Sequence, residues 1–174
     1  MRIVAGEWRG RRIAAPKTDA VRPTSDRVRE AWMSIVHESL PGARVLDLCA
    51  GSGALGLEAL SRGARFADFV EDDARTIRVL ESNVALLGAV ERCRIHRDDA
   101  EKFAGSARTE PYDVAFADPP YRQGLALALA KLWLDEPFAT IFGVEHEARL
   151  AMPDGGSPSD TRRYGETAIT FYRL

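Results

Sequence analysis

The stretch Arg44-Val45-Leu46-Asp47-Leu48-Cys49-Ala50-Gly51-Ser52-Gly53-Ala54-Leu55-Gly56 decides the fold. Residues 44–49 are an apolar run of strand length, and 54–61 form a helix that ends before Gly63. Gly51 and Gly53 in the turn between them tolerate φ above zero and let a ligand approach the main chain closely. The same alternation continues downstream. Residues 66–71 read as a second strand, 74–87 as a helix stopped by Gly88, and 93–97 as a third strand with a short helix after Asp99. Residues 112–117 form the fourth strand, 125–134 an apolar helix and 141–145 the fifth strand. This rhythm predicts a parallel sheet covered on both faces. Residues 161–164 and 167–172, joined at Gly165-Glu166, predict a closing antiparallel hairpin, which brings the sheet to seven strands.

Upstream, residues 2–5 and 11–15 flank the turn-rich Gly6-Glu7-Trp8-Arg9-Gly10 and predict a small hairpin. A proline-containing loop covers 16–24. Thr24, Ser25 and Asp26 are good N-caps for a helix over 26–39, stopped by Pro41-Gly42.

With 174 residues, 45% apolar and 29% charged, the chain is the size of one soluble domain. No apolar run reaches the ~18 residues that span a membrane, and the start meets charge too early for a signal peptide. Cys49 and Cys93 make neither a disulfide framework nor a zinc spacing, and the three histidines are scattered. A cytoplasmic, metal-free monomer is the expectation. The net charge of −2 is unevenly spread: residues 1–30 carry +4 and the remainder −6. A basic arm on an acidic body suits contact with a polyanion.

A second motif, Asp118-Pro119-Pro120-Tyr121, comes directly after the apolar run 114–117. Two prolines stop a strand and stiffen the chain beyond it. The corner presents a carboxylate, the carbonyls of Asp118 and Pro119, and an aromatic face, which suits a flat molecule with an amino group.

Gly51-x-Gly53-x-x-Gly56, with Glu71 twenty residues after Gly51, also satisfies the dinucleotide fingerprint, so a nicotinamide cofactor is open at this point. Asp47 argues otherwise. A carboxylate under the loop can hold an ammonium through water but is ill placed beside pyrophosphate, and the chain has no room for a second, substrate-binding domain. S-adenosylmethionine, with a sulfonium, an α-amino group and a ribose but no phosphate, fits better. Glu71 would accept from ribose hydroxyls. Asp99 would either accept from the adenine amino group or cap the helix starting at Ala100. Asp72 joins the candidate cofactor set, although it and Asp73 also read as solvated helix-start charges.

Taken together, 47–60 and 118–121 resemble a class I S-adenosylmethionine-dependent amino-methyltransferase. Trp8-Arg9-Gly10-Arg11-Arg12 and Arg22-Pro23-Thr24-Ser25-Asp26-Arg27-Val28-Arg29-Glu30 are similar to the start of the RsmD family, bacterial enzymes that methylate N2 of a guanine in 16S ribosomal RNA. The similarity runs from residue 2 to about 125, with a weaker echo at Arg163-Tyr164-Gly165. It implies a Rossmann-like class I methyltransferase domain over 25–174, preceded by a basic hairpin arm and loop over 1–24. It implies cofactor contacts around Gly51, Ser52, Gly53, Glu71 and Asp99 and target-base contacts at Asp118–Tyr121. Thr24, Asp47, Asp72, Ala100 and Asp118 complete the candidate cofactor set, and Asp118, Pro119, Pro120 and Tyr121 are the candidate catalytic residues. Arg9, Arg11, Arg12, Arg22, Arg27 and Arg122 are the candidate contacts to 16S rRNA or the small ribosomal subunit. Arg22, Thr24 and Arg27 could serve cofactor or RNA. The family more often has an aromatic residue where Cys49 stands, and 126–160 carries no motif. The remaining alternatives are another nucleic-acid amine (adenine or cytosine), a protein amide, a nicotinamide-dependent oxidoreductase and a non-catalytic RNA-binding module.

Overall fold

The computed structural model describes residues 1–16, 26–106, 110–121, 124–155 and 160–174, without the side chains of 26 and 27. Helix α1 (Asp26–Val36) runs into a 3-10 turn (His37–Ser39), so the predicted helix keeps its length but tightens at the end. It leads to β1 (Arg44–Leu48), α2 (Ala54–Ser61), β2 (Phe66–Glu71), α3 (Ala74–Leu87), β3 (Cys93–Arg97), α4 (Ala100–Ser106), β4 (Tyr112–Ala117) and α5 (Leu125–Asp135). Strands β5 (Ala139–Glu147), β6 (Asp160–Tyr164) and β7 (Thr167–Arg173) complete the chain. The strand order is β3-β2-β1-β4-β5-β7-β6. The first five strands are parallel, and β7 runs antiparallel to both β5 and β6.

The seven-stranded sheet and its closing hairpin match the expectation. Strand ends differ by one or two residues, at β1 and β5 with a plain cause. β1 stops one residue early because Cys49 takes φ 59, which leaves the ladder. β5 is longer than read because β7 extends its pairing as far as Glu147 opposite Thr167. Among the described residues no helix is long and apolar enough to cross a membrane.

Side-chain alternation splits the core in two. Val45, Phe69, Val114 and Phe116 face the layer that holds α1, α2 and α3. Leu46, Leu48, Val70 and Ala115 face the layer of α4 and α5. The chain leaves β1 outward to β2 and β3, then returns to β4 on the other side. The carboxyl ends of β1 and β4 therefore flank the point where strand order reverses, which is where open α/β sheets bind ligands.

The N-terminal ribbon is built into this core. Its strands pair through Ile3 N–H to Arg11 O (2.9 Å) and Ile13 N–H to Met1 O (3.1 Å), around a bridge between Arg2 and Arg12. Ile3, Trp8 and Ile13 are buried, and each full burial contributes about 1.5–3 kcal/mol. Glu58, fully buried in α2, accepts from Val4 N–H (2.8 Å) and Ala5 N–H (2.9 Å) and from Arg62 Nε (2.9 Å), with Arg29 alongside. Asn83 on α3 accepts from Ala14 N–H and donates to the carbonyls of Ala14 and Ser52. It thereby ties the end of the ribbon to the glycine turn.

Candidate active site

The glycine turn lies between β1 and α2, with Gly53 as N-cap at φ 79. Gly56 is required by packing: a Cβ there would stand 2.3 Å from the Phe69 ring. Two carboxylates hold the turn, one at each end. Asp47 Oδ2 accepts from Gly56 N–H (2.9 Å) and Glu71 Oε2 accepts from Gly51 N–H (2.9 Å). Glu71 Oε1 also takes the N–H groups of Asp72 and Asp73 (3.1 and 3.0 Å). The acid expected to meet a ribose thus also shapes the loop beneath the ligand. Nothing lies within 4 Å of a Cβ built on Gly51, so that face of the turn is open.

Carboxylates crowd this crevice. Burial pushes Asp47 well above the usual carboxylate range; its bond from Gly56 opposes this, and the charges of Asp118 and Glu71 add to the rise. Glu71 is raised by burial and partly restored by the N–H groups of Asp73 and Gly51. Burial, with Glu71, Asp118 and Asp47 nearby, also raises the Cys49 thiol, so it stays protonated and is no nucleophile. Acids whose ionisation is opposed by burial and by one another favour a cationic ligand, which relieves both strains. The donor set therefore fits the sulfonium and ammonium of S-adenosylmethionine and disfavours a pyrophosphate.

Other candidates have local partners. Asp99 Oδ1 accepts from Lys102 N–H (2.9 Å), so the capping role is present, and Ala100 is buried. Asp73 caps α3 through Thr76 (2.9 Å), while Asp72 is exposed. The Ser52 hydroxyl is buried and turned onto Met1 Sδ at 3.7 Å, and its carbonyl takes Asn83 Nδ2 at 2.9 Å, so neither is turned to a ligand.

On the other side of the switch point, Asp118 is half-buried, Pro119 buried and Pro120 exposed. Tyr121 is 36% exposed, and its hydroxyl donates to Glu145 Oε1 (3.0 Å) and shares a 2.6 Å bond with Thr167 Oγ1. The structure brings Asp47, the glycine turn, Glu71 and Asp118 to neighbouring strand ends. Arg9 and Arg12 are exposed on the ribbon, and Arg11 Nη2 donates to Leu86 O at 2.6 Å. Arg11 is thus partly committed to holding the ribbon on α3. Thr24, Arg22 and Arg122, and the side chain of Arg27, lie outside the described residues.

Glu145 is the residue the motifs missed. It is only 6% exposed where β5 leaves the core, and burial together with the Asp118 charge pushes its carboxyl up to about 8. Its signal was an acid at the end of the apolar run 141–144, the same arrangement as Asp118 after 114–117. Among the described residues no group of three or more His, Cys, Asp or Glu is placed to hold a metal ion.

Residues 1–173 match the family described as Conserved hypothetical protein 95. The chain is 42% identical to "Ribosomal RNA small subunit methyltransferase D" of Escherichia coli K12, an alignment that covers all of this chain and 88% of that one. The structure of a hypothetical protein from Thermus thermophilus, 34% identical, superposes with a TM-score of 0.86 over 100% of this chain and 99% of the other. A T. thermophilus 16S rRNA N2 G1207 methyltransferase, solved with AdoMet and guanosine, shares the fold at 21% identity. Its TM-score is 0.71 over 90% of this chain and 44% of that one. The fold, the paired glycine turn and Pro-Pro corner, and identity along the whole length agree: the chain belongs to the RsmD family.

Proposed function

We propose that this protein transfers a methyl group from S-adenosylmethionine to the exocyclic N2 amine of a guanine in 16S ribosomal RNA, acting as a cytoplasmic monomer. The observation that carries the reading is the glycine turn held by Asp47 and Glu71 at the strand switch point, with the Asp118–Tyr121 corner at the end of the adjacent strand β4. The activity named for its relatives supports the same conclusion, and the choice of guanine rests on that kinship.

Asp47, the Gly51–Gly53 turn, Glu71 and Asp99 would hold the cofactor, which supplies an electrophilic methyl carbon when bound. Asp118 and the Pro119 carbonyl each accept a hydrogen bond from the target amine. An aromatic amine is a poor nucleophile because its lone pair is delocalised; the two acceptors orient that lone pair and stabilise positive charge growing on nitrogen. No strong base is needed, since the proton leaves after transfer. Tyr121 offers a ring on which the base stacks, worth about 1–3 kcal/mol. A stacked base must be flipped out to reach this corner. Exposed Arg9 and Arg12 would take phosphates, which position the RNA without reading it.

The test is transfer of labelled methyl groups to small ribosomal subunits and to free 16S rRNA from a strain lacking the modification, then digestion to nucleosides. Label in N2-methylguanosine at one position is expected. Label on adenine, cytosine or protein, or none at all, contradicts the reading.

A further inference from the structure

Glu145 is costly where it stands. It is buried, and among the described residues its Oε2 makes no hydrogen bond. The group set against it is the Trp32 indole N–H, which eases the cost of its charge without closing to a full hydrogen bond. Trp32 cannot move to improve the match. It is fully buried with its ring edge-on to Phe116 (5.4 Å) and Phe171 (5.3 Å), and it occupies the space a Cβ on Gly143 would need. The Asp118 charge bears on the same carboxyl. A half-satisfied buried acid beside another acid adds nothing to packing that a glutamine or an apolar residue would not supply.

What Glu145 does supply is an acceptor for the Tyr121 hydroxyl at 3.0 Å, while Thr167 on β7 engages that hydroxyl at 2.6 Å. The ring lies at the surface, just past two prolines, and these two bonds from two different strands anchor its hydroxyl end and so limit the swing of the side chain. We propose that Glu145 is the positioning residue of the acceptor half: it immobilises the Tyr121 ring before the base arrives. The proposal rests on the acceptor role given to Tyr121 above. Ordering the ring in advance spares the complex that cost on binding. The benefit is tighter RNA binding, with little change in cofactor affinity.

The test uses the full-length protein and four variants: Glu145→Ala, Glu145→Gln, Tyr121→Phe and the double variant Glu145→Ala/Tyr121→Phe. Glu145→Ala is expected to raise KM for the RNA substrate about three- to tenfold, with S-adenosylmethionine affinity within about twofold by calorimetry. Glu145→Gln, which keeps an acceptor oxygen, recovers most of that loss. The double variant is no worse than Tyr121→Phe alone, because both changes remove the same bond. NMR of ring-labelled tyrosine reads the pinning without any RNA: Tyr121 gives one sharp, ordered environment in the wild type and an averaged one in Glu145→Ala. Unchanged KM and an unchanged Tyr121 signal in a folded Glu145→Ala protein overturn the proposal, as do additive effects in the double variant. A wild-type protein that methylates no RNA overturns the acceptor reading instead, and the NMR result then still decides whether Glu145 holds the ring.

Discussion

The two halves of the crevice are organised differently. In the cofactor half, Asp47 and Glu71 grip main-chain N–H groups at the two ends of one glycine turn, so the geometry is written into a contiguous stretch of backbone. In the acceptor half, the ring of Tyr121 is held by side chains from β5 and β7, 24 and 46 residues away in sequence. Backbone clamps suit a ligand that is the same in every turnover. Side-chain struts suit a surface that must receive one base presented by a large RNA. The difference predicts that damage to one half leaves the other working.

The largest effect belongs to Asp118. Asp118→Ala should lower single-turnover methyl transfer by about 100-fold or more, with S-adenosylmethionine binding within a few-fold of wild type by calorimetry. Glu71→Ala should do the reverse. It strips an acceptor from Gly51 N–H, a loss of about 1–3 kcal/mol, and should weaken cofactor binding by about 10- to 100-fold.

A smaller effect concerns pH. Glu145, Asp47 and Glu71 are raised above their unfolded values, so the folded state retains protons that the unfolded chain has released. Stability contributed in this way is complete below the unfolded carboxylate range and is lost as pH rises through the folded pKa. For Glu145 the window runs from 4.5 to about 8. The ligand-free protein should therefore melt at lower temperature as pH climbs through that window. Glu145→Gln should flatten the slope and melt several degrees higher at pH 8, at roughly 2–4 °C per kcal/mol for a chain of this size. Equal slopes by calorimetry would remove Glu145 from the account.

The smallest effects fall on the ribbon. Arg9→Ala and Arg12→Ala should each weaken RNA binding a few-fold and reduce the slope of log affinity against log salt by about one. Deleting residues 1–15 is not an equivalent test. It would remove Ile3, Trp8 and Ile13 from the core and leave Glu58 without its backbone partners.

Legibility in the sequence divides along the same line. The glycine turn and the Pro-Pro corner are contiguous, and proline and glycine act locally, so both could be placed from spacing alone. The central strands β1, β2, β4 and β5 were readable because each is a short, mostly apolar run, whereas β3 and β6 carry arginines and were placed by the rhythm of the elements and by the Gly165-Glu166 turn. Glu145 and Thr167 were not, because their meeting with Tyr121 depends on the register of β5 against β7. How the ribbon is fastened was hidden for a related reason. Its arginines marked a basic hairpin, but its seat on the domain is set by Glu58, a single acid inside a helix whose every residue is buried. Asp99 remained ambiguous because capping and adenine binding ask for the same residue at the same place.

The separation of the two halves is tested most directly by single-turnover methyl transfer, measured across S-adenosylmethionine concentration for Glu71→Ala and Asp118→Ala. Glu71→Ala should climb to within a few-fold of the wild-type rate once the cofactor saturates, while Asp118→Ala stays slow at every concentration. A Glu71 variant that cannot be rescued, or an Asp118 variant that can, would contradict the account.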